Sequence, residues 1–302
     1  FQEMEEEEKR EEFESELKKV TPKPPQRGRR AHESRRPRPE PEKPRPRPQP
    51  KRPVPIDKFD ASDLPSRIAG QVPRNGIGKD FFQETDVTGI TLPITKHNYL
   101  VMNTSEIATT IKEAFYIART GRPGPVLVDI PKDVLTESAE FFYPEDVDLP
   151  GYKPTLEGNV SQIKKAAKLI NQANRPVILA GHGLIISRAY DEIKELAEKA
   201  EIPVITTLLG ISSFPTSHFL NLGMPGMHGV AYASLAIDEA DLVIGLGMRF
   251  DDRITGDVKG FAQNARVIHV DIDPAEIDKN VGADVPIVGD LARVLRQMNQ
   301  AV

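Results

Sequence analysis

Beyond residue 158, short apolar runs alternate regularly with amphipathic segments, and this alternation leaves few possible folds. The runs lie at 177–180, 204–207, 242–245, 267–270 and 285–288. Continuous apolar runs of this length are typical of strands buried on both faces. The segments between them predict helices near 161–174, 189–200, 231–239 and 291–298. Strands connected through helices require right-handed crossovers. The pattern therefore predicts an α/β fold with a doubly wound parallel sheet over residues 159–302.

A second α/β segment is predicted over residues 67–140. It starts with a loop-rich run through Gly78. Ser105 can cap a helix through about Ala118, whose apolar residues recur at steps of three and four. The apolar run 125–130 predicts a buried strand that ends at Pro131. A stretch rich in proline and acidic residues follows, and it predicts a linker at 141–158.

The first 66 residues have a different composition. The first twenty hold nine glutamates against four lysines or arginines, and 21–60 hold thirteen lysines or arginines and twelve prolines. Prolines in alternate positions favour extended polyproline II and leave little to pack on a core. The composition predicts a disordered tail at 1–66. Two other roles stay open, a ligand for an SH3-type domain and an RNA-binding arm.

Composition excludes several kinds of site and partner. The chain has no cysteine, which excludes disulfides and thiolate metal sites, and its histidines lack metal-ligand spacing, so we expect no metal bound by this chain. The opposite charges of the tail largely cancel within the net charge of −5, and the folded part needs no nucleic-acid partner. No apolar run reaches membrane-spanning length. The acidic N-terminal stretch matches neither a secretory signal nor a transit peptide.

Small, polar or acidic residues follow every predicted strand of 159–302. In open parallel sheets, ligands bind beyond the carboxyl ends of the strands. Glycines let backbone N–H groups approach a pyrophosphate, and a carboxylate after a strand can accept hydrogen bonds from ribose hydroxyls. The pattern suggests an adenine dinucleotide, although each loop alone is also explained by turn chemistry. The residues are Gly181 and Gly183, Thr207, Gly247 to Arg253, Asp271, and Gly289 with Asp290.

Three details of the sequence bear on this hypothesis. A full G-x-G-x-x-G fingerprint is absent from the sequence, which disfavours a nicotinamide dehydrogenase. Arg249 and Arg253 stand beside Asp251 and Asp252, where they could form a solvated ion-pair cluster or bind a phosphate or a flavin edge. Met227 is equally suited to a core contact or a ring contact.

Several long stretches from residue 70 onward resemble one enzyme family, the catalytic subunit of acetohydroxyacid (acetolactate) synthase. They are GQVPRNGIGKDFFQET from Gly70, ITLPITKHNYLV from Ile90, GRPGPVLVDIPKD from Gly121, GMPGMHG from Gly223, MRFDDRITG from Met248 and HVDIDPAEIDKN from His269. Strings like GRPGPV occur throughout thiamine diphosphate enzymes. The KHNYLV, GMHG and RFDDR strings are narrower.

The resemblance implies that 67–140 is the C-terminal part of a thiamine diphosphate-binding Pyr domain and that 159–302 is the central, FAD-binding domain. The family joins two pyruvates, or pyruvate and 2-oxobutyrate, on thiamine diphosphate with Mg²⁺, in branched-chain amino-acid biosynthesis. It holds FAD without net redox turnover. The expected partners are 2-oxo acid substrates, further copies in a dimer or tetramer, and a regulatory subunit. The expected location is the bacterial cytoplasm, or a plastid or mitochondrion in a eukaryote.

The resemblance also implies site residues. Gln83 and Lys132 match positions of the catalytic centre, with Gln83 near the reacting carbon of thiamine diphosphate. Pro73, Asp252 and Arg253, together with Lys132, match the substrate channel and its herbicide site. From the residues alone, a loop-capping amide, a turn proline and surface charges are the preferred interpretations. The implied FAD contacts are Arg122, Gly181, Gly183, Thr207, Leu208, Gly226, Met227, His228, Gly247, Arg249, Asp251, Asp271, Ile272, Gly289 and Asp290.

Two elements of the family pattern lie outside the match. The catalytic glutamate precedes the segment that starts at Gly70, and the Gly-Asp-Gly motif that holds Mg²⁺ and the diphosphate follows the last residue. We therefore expect a fragment that is inactive alone and at most binds FAD. Two alternatives stay open. One is another thiamine diphosphate enzyme, such as a glyoxylate carboligase or a sulfoacetaldehyde acetyltransferase. The other is a non-catalytic interaction protein that uses its Pro/Arg tail.

Overall fold

A computed structural model describes residues 67–302, and the predicted tail at 1–66 lies outside the described residues. The strands are β1 (Arg67–Gln71), β2 (His97–Leu100), β3 (Val126–Pro131), β4 (Pro176–Ala180), β5 (Val204–Thr206), β6 (Leu242–Leu246), β7 (Arg266–Asp271) and β8 (Val285–Val288). The helices are α1 (Val87–Thr91), α2 (Ile107–Arg119), α3 (Lys132–Thr136), α4 (Val160–Gln172), α5 (His182–Ile186), α6 (Tyr190–Lys199), α7 (Ala231–Asp238), α8 (Asp252–Thr255) and α9 (Leu291–Ala301).

The strands form two parallel sheets. The first has the order β1-β3-β2 and the second the order β5-β4-β6-β7-β8, with every neighbouring pair parallel. The α/β class and the parallel sheet predicted from the apolar runs are confirmed. The sequence predicted a loop where β1 lies and no strand where β2 lies. Both strands are short and at most partly buried, so pairing with the fully buried β3 decides their structure.

The second sheet is covered on both faces. Along β4, Ile178 and Ala180 pack into a cluster that also contains Leu196 of α6 and Val294 of α9. Val177 and Leu179 of the same strand pack on the other side, in a cluster that contains Ala233 and Ile237 of α7. Successive strand residues point to opposite faces, so the continuous apolar run serves both clusters.

The strand order places a switch point between β4 and β6. From β4 the chain moves to the edge strand β5, and it then crosses back to β6 on the other side of β4. In doubly wound sheets a crevice opens at such a point, because the two connections leave in opposite directions. The carboxyl ends of β4 and β6 are therefore where a ligand site is expected.

The long helices were predicted to within a few residues at each end. Four short helices were missed, namely α1, α3, α5 and α8, each of four or five residues. Such helices carry too little sequence for an apolar period to show. Residues 137–158 contain neither helix nor strand. Among residues 67–302, no helix combines the length and apolar character needed to cross a membrane.

Candidate functional site

A cavity of about 600 Å³ opens beyond the carboxyl ends of β4, β6 and β7, next to the switch point. Its wall includes Gly183 after β4, Gly247 after β6 and Asp271 at the end of β7. Leu208 and Ile254 add apolar surface. The strand ends that the sequence marked as unusual thus meet at one cavity, and its volume falls within the range of small-molecule sites.

Two glycines let the backbone come close at the base of the cavity. A Cβ added to Gly183 would lie 2.7 Å from Gly247 Cα, and a Cβ added to Gly247 would lie 2.6 Å from Leu291 Cδ1. Gly247 also has a φ of 61°, a backbone conformation that residues with a Cβ rarely adopt. The loops after β4 and β6 therefore pack backbone to backbone, and both expose main chain to the cavity.

The loop after β6 presents amide groups. Residues 247–251 all line the cavity. Within the described part of the chain, the backbone N–H groups of Met248, Arg249 and Phe250 donate to no protein acceptor. Consecutive amides next to a residue with positive φ form a concave anion site. The geometry is suited to phosphate oxygens.

Arg249 and Asp251 form the ion pair that the sequence suggested. Arg249 Nε lies 2.9 Å from Asp251 Oδ2, and Asp251 Oδ1 accepts a hydrogen bond from the Arg253 amide at the start of α8. Arg253 Nη1 lies 3.8 Å from Asp252 Oδ2. The Arg249 side chain remains largely exposed and lines the cavity, so it is still available to an anion.

Arg122 reaches the cavity from the first sheet. It lies on the loop between α2 and β3, and its Nη1 lies 2.6 Å from Glu276 Oε1 and 3.4 Å from Asp273 Oδ2. Lys279 Nζ lies 3.1 Å from the same Glu276 oxygen. Burial works to raise the pKa of Glu276, but hydrogen bonds and charge from Lys279 and Arg122 outweigh it and lower the pKa. Glu276 is therefore held ionised.

Carboxylates concentrate at the end of β7. Asp271 is buried, and its Oδ1 accepts a hydrogen bond from the Asp273 amide at 2.9 Å. Burial raises the pKa of Asp271 above its ordinary value. Glu276 is 5% exposed, and its Oε2 has no hydrogen-bond partner in the described structure. Both residues line the cavity and can accept hydrogen bonds from ligand hydroxyls.

Most of the predicted cofactor residues lie on this wall, and five do not. Gly181 and Gly289 are buried behind it, where their amides donate to Leu246 O and Asp271 O. Gly226 packs against the carbonyl of Arg253, and Met227 and His228 are exposed on the same loop. The predicted residues that line the cavity are Arg122, Gly183, Thr207, Leu208, Gly247, Arg249, Asp251, Asp271, Ile272 and Asp290, with Arg253 from the predicted channel.

The cavity also contains residues that the sequence analysis did not assign. Glu276 lies within the HVDIDPAEIDKN string and five positions after Asp271, which is the signal that could have identified it. His182 lines the wall too, with its Nδ1 3.0 Å from Leu209 O. Its place between two assigned glycines was a comparable signal.

The other predicted site residues lie outside the cavity wall. Gln83 is exposed and has a φ of 65°, and Lys132 is exposed at the first position of α3. Pro73 precedes a short turn of helix at Arg74, and Asp252 is exposed at the start of α8. None of these four lines the cavity. Their roles remain predictions. Within residues 67–302, no cluster of three or more histidine, aspartate or glutamate side chains has metal-binding geometry.

Comparison with known proteins gives the relationship. Residues 163–298 match the family model described as thiamine pyrophosphate enzyme, central domain. The chain is 54% identical over 231 residues to an acetolactate synthase of Mycobacterium bovis. The matched residues make up 76% of this chain and 37% of that protein. It is 54% identical over 238 residues to a probable acetolactate synthase large subunit of Methanocaldococcus jannaschii, and the matched residues make up 78% of this chain and 40% of that protein.

A third relative agrees with these two. The chain is 51% identical over 246 residues to an acetolactate synthase large subunit of Corynebacterium glutamicum, covering 81% of this chain and 39% of the relative. The chain thus spans about two fifths of the length of the curated relatives it matches. The resemblance stated from the motifs is confirmed: over about three quarters of its length the chain is homologous to acetolactate synthase large subunits, and residues 163–298 match the thiamine pyrophosphate enzyme central domain.

Proposed function

We propose that the cavity at the switch point binds FAD. The observation that carries the proposal is the convergence of three strand ends on one cavity whose wall combines Gly183 and Gly247 with Arg122 and Asp271. These groups match the parts of a flavin dinucleotide. The exposed backbone at the two glycines and the guanidinium of Arg122 can bind the pyrophosphate. The buried carboxylate of Asp271 can accept hydrogen bonds from ribose hydroxyls.

The apolar part of the wall suits the rings. Leu208 and Leu209 are largely exposed at the cavity although both are large and apolar, and Ile254 lies on the wall as well. A flat ring system would cover this surface and remove it from water. A free phosphate or a simple sugar would leave it exposed. A cofactor with both a ring and a pyrophosphate therefore fits the wall better than either part alone.

The whole-protein activity that we propose is that of acetolactate synthase. It is the thiamine diphosphate-dependent joining of pyruvate with pyruvate or 2-oxobutyrate, with loss of carbon dioxide. The relatives reported above carry this name, which supports the proposal over a glyoxylate carboligase or a sulfoacetaldehyde acetyltransferase. Thiamine diphosphate would supply the carbanion chemistry when bound. In this assignment Gln83 and Lys132 belong to the catalytic centre, and Pro73, Asp252 and Arg253 belong to the substrate channel.

The proposal extends to domains, partners and location. Residues 67–140 would be part of the Pyr domain, 141–158 the linker, and 159–302 the FAD-binding central domain. Two relatives are named large subunits, which supports a second, regulatory kind of subunit and assembly into dimers or tetramers. We place the enzyme in the cytoplasm. Mg²⁺ would be held with thiamine diphosphate outside the residues described here.

Titration of FAD with the 302-residue chain tests the cofactor assignment. Flavin fluorescence is read directly, and the chain has no tryptophan to interfere. We expect saturable quenching of the flavin fluorescence as protein is added, and much weaker competition by NAD, which lacks the isoalloxazine ring. Free riboflavin controls for ring binding without pyrophosphate. Unchanged flavin fluorescence up to high micromolar protein would exclude the assignment.

A further inference from the structure

The loop that carries the free amides, residues 247–250, has an unfavourable backbone conformation. Gly247 has a φ of 61° and Phe250 a φ of 47°. For a bulky side chain such as that of Phe250, the left-handed region is costly and persists only where surrounding contacts impose it. Contacts outside the loop must therefore hold it.

Two side chains hold three consecutive carbonyl groups of this loop. His269 Nε2 lies 2.7 Å from Met248 O, and Asn280 Nδ2 lies 3.2 Å from Arg249 O and 3.0 Å from Phe250 O. A carbonyl can only accept, so Nε2 of His269 must carry the proton. Neither His269 nor Asn280 lines the cavity. Both act on the loop from behind.

The ring of Phe250 is seated by the same arrangement. It meets the His269 ring edge to face, with centroids 4.9 Å apart and planes at 82°. Gly245 leaves the room for it, since a Cβ there would lie 2.6 Å from Phe250 Cζ. Phe250 and His269 are each 1% exposed. A buried ring contact and a buried hydrogen bond thus fix the loop at two residues, 250 and 248.

We infer that His269 and Asn280 are positioning residues for the anion-binding part of this cavity. By bonding the carbonyls of residues 248–250 on the side away from the cavity, they leave the N–H groups on the other side of the same trans peptide units, including those of Arg249 and Phe250, to phosphate oxygens. A loop free to rotate would turn carbonyl oxygens towards the ligand, where they repel an anion. The inference rests on the proposed function, because it assumes that a pyrophosphate binds there.

The test compares ligands with and without phosphate. The probes are ADP and adenosine, each competing with FAD for the full chain, in wild type, N280A and H269F. N280A removes both amide donors, and H269F keeps a ring against Phe250 but removes the N–H. We expect the affinity of each variant for ADP to fall about tenfold, which corresponds to the loss of one hydrogen bond of about 1.4 kcal/mol. The affinity of each variant for adenosine should equal that of wild type.

Two further variants complete the design. H269Q retains an amide donor and should recover most of the ADP affinity that H269F loses. N264A alters an exposed asparagine that precedes β7 and lies outside the cavity wall, so it should match wild type with both ligands. A thermal unfolding transition for each variant establishes that it is folded.

The outcomes are separable. Equal losses for ADP and adenosine, or H269Q no better than H269F, would show a merely structural role and overturn the inference. Wild-type affinity for ADP in both N280A and H269F would overturn it as well. Failure of the wild-type chain itself to bind FAD and ADP would instead overturn the proposed function, and with it this inference.

Discussion

Arg122 and Glu276, separated by 154 residues in sequence, form an ion pair with Arg122 Nη1 2.6 Å from Glu276 Oε1. Arg122 belongs to a loop of the first sheet, and Glu276 follows the fourth strand in sequence of the second sheet, β7. The contact brings a cation from one sheet to the cavity of the other. Among residues 67–302 the guanidinium is bonded through Nη1 alone, so its other N–H groups remain to bind a phosphate.

Replacement of Arg122 by glutamine should weaken FAD binding by about 10- to 100-fold. The variant loses a charge-assisted contact, worth about 1.5 to 3 kcal/mol, to the proposed pyrophosphate, and it leaves Glu276 with Lys279 as its remaining cation. Flavin fluorescence titration measures the change. R119Q, an exposed arginine at the end of α2 that does not line the cavity, is the matched control. Equal FAD affinity in R122Q and R119Q would remove Arg122 from the site.

Substitution of Gly247 by alanine should lower the free energy of unfolding by about 1 to 3 kcal/mol and abolish FAD binding. The added methyl group would meet Leu291 Cδ1 at 2.6 Å and Gly183 Cα at 2.7 Å, at a φ of 61°. Denaturant unfolding measures the stability. Gly282 has nothing within 4 Å of an added Cβ, so G282A should unfold as wild type does. If the two alanine variants behave alike, the close backbone approach is not required.

Replacement of Lys96 by methionine should destabilise the fold by about 2 kcal/mol. Lys96 Nζ lies 2.6 Å from Ile117 O and 2.5 Å from Thr120 O at the end of α2, and 2.7 Å from Tyr152 Oη. These bonds fix the loop that leads to Arg122. Weaker FAD binding should therefore accompany the lower stability. K168M, on an exposed face of α4, controls for the loss of a charge. An unchanged unfolding midpoint in K96M would contradict this account.

Stability should fall as the pH drops below about 6.5, the ordinary pKa of histidine. Burial lowers the pKa of His269, and the hydrogen bond to Met248 with the charges of Asp271, Asp278 and Glu276 offsets this only in part. Below pH 6.5 the unfolded chain binds a proton that the folded chain does not, so the stability present at neutral pH is lost as pH falls towards the folded pKa. The slope contributed by His269 is at most about 1.4 kcal/mol per pH unit.

Unfolding of wild type and H269Q, compared between pH 7.5 and 5.5, isolates this contribution; these pH limits lie about one unit either side of the ordinary histidine value. Every other titrating group, including Asp271 with its raised pKa, is common to both proteins. The difference between their unfolding free energies should therefore change only in the acidic part of the range. Parallel curves throughout would show that His269 titrates alike in the folded and unfolded chains.

The architecture of residues 159–302, and the edge of the sheet at which the cavity lies, could be predicted from the sequence. The apolar run at 177–180 already shows burial on both faces, and glycine at 181, 183 and 247 already shows where backbone must come close. Both properties are local, because the burial of a strand and the conformational range of a glycine can be inferred from residues that are close together in the sequence.

Contacts between residues far apart in the chain could not be predicted in this way. β1 and β2 became strands because β3 lies between them, although neither has an apolar run of its own. Glu276 gained a partner in Arg122, and Asn280 gained the carbonyls of Arg249 and Phe250, about thirty residues before it in the chain. Such contacts depend on the three-dimensional course of the loops after β6 and β7, and no periodicity or turn motif in a single segment encodes them.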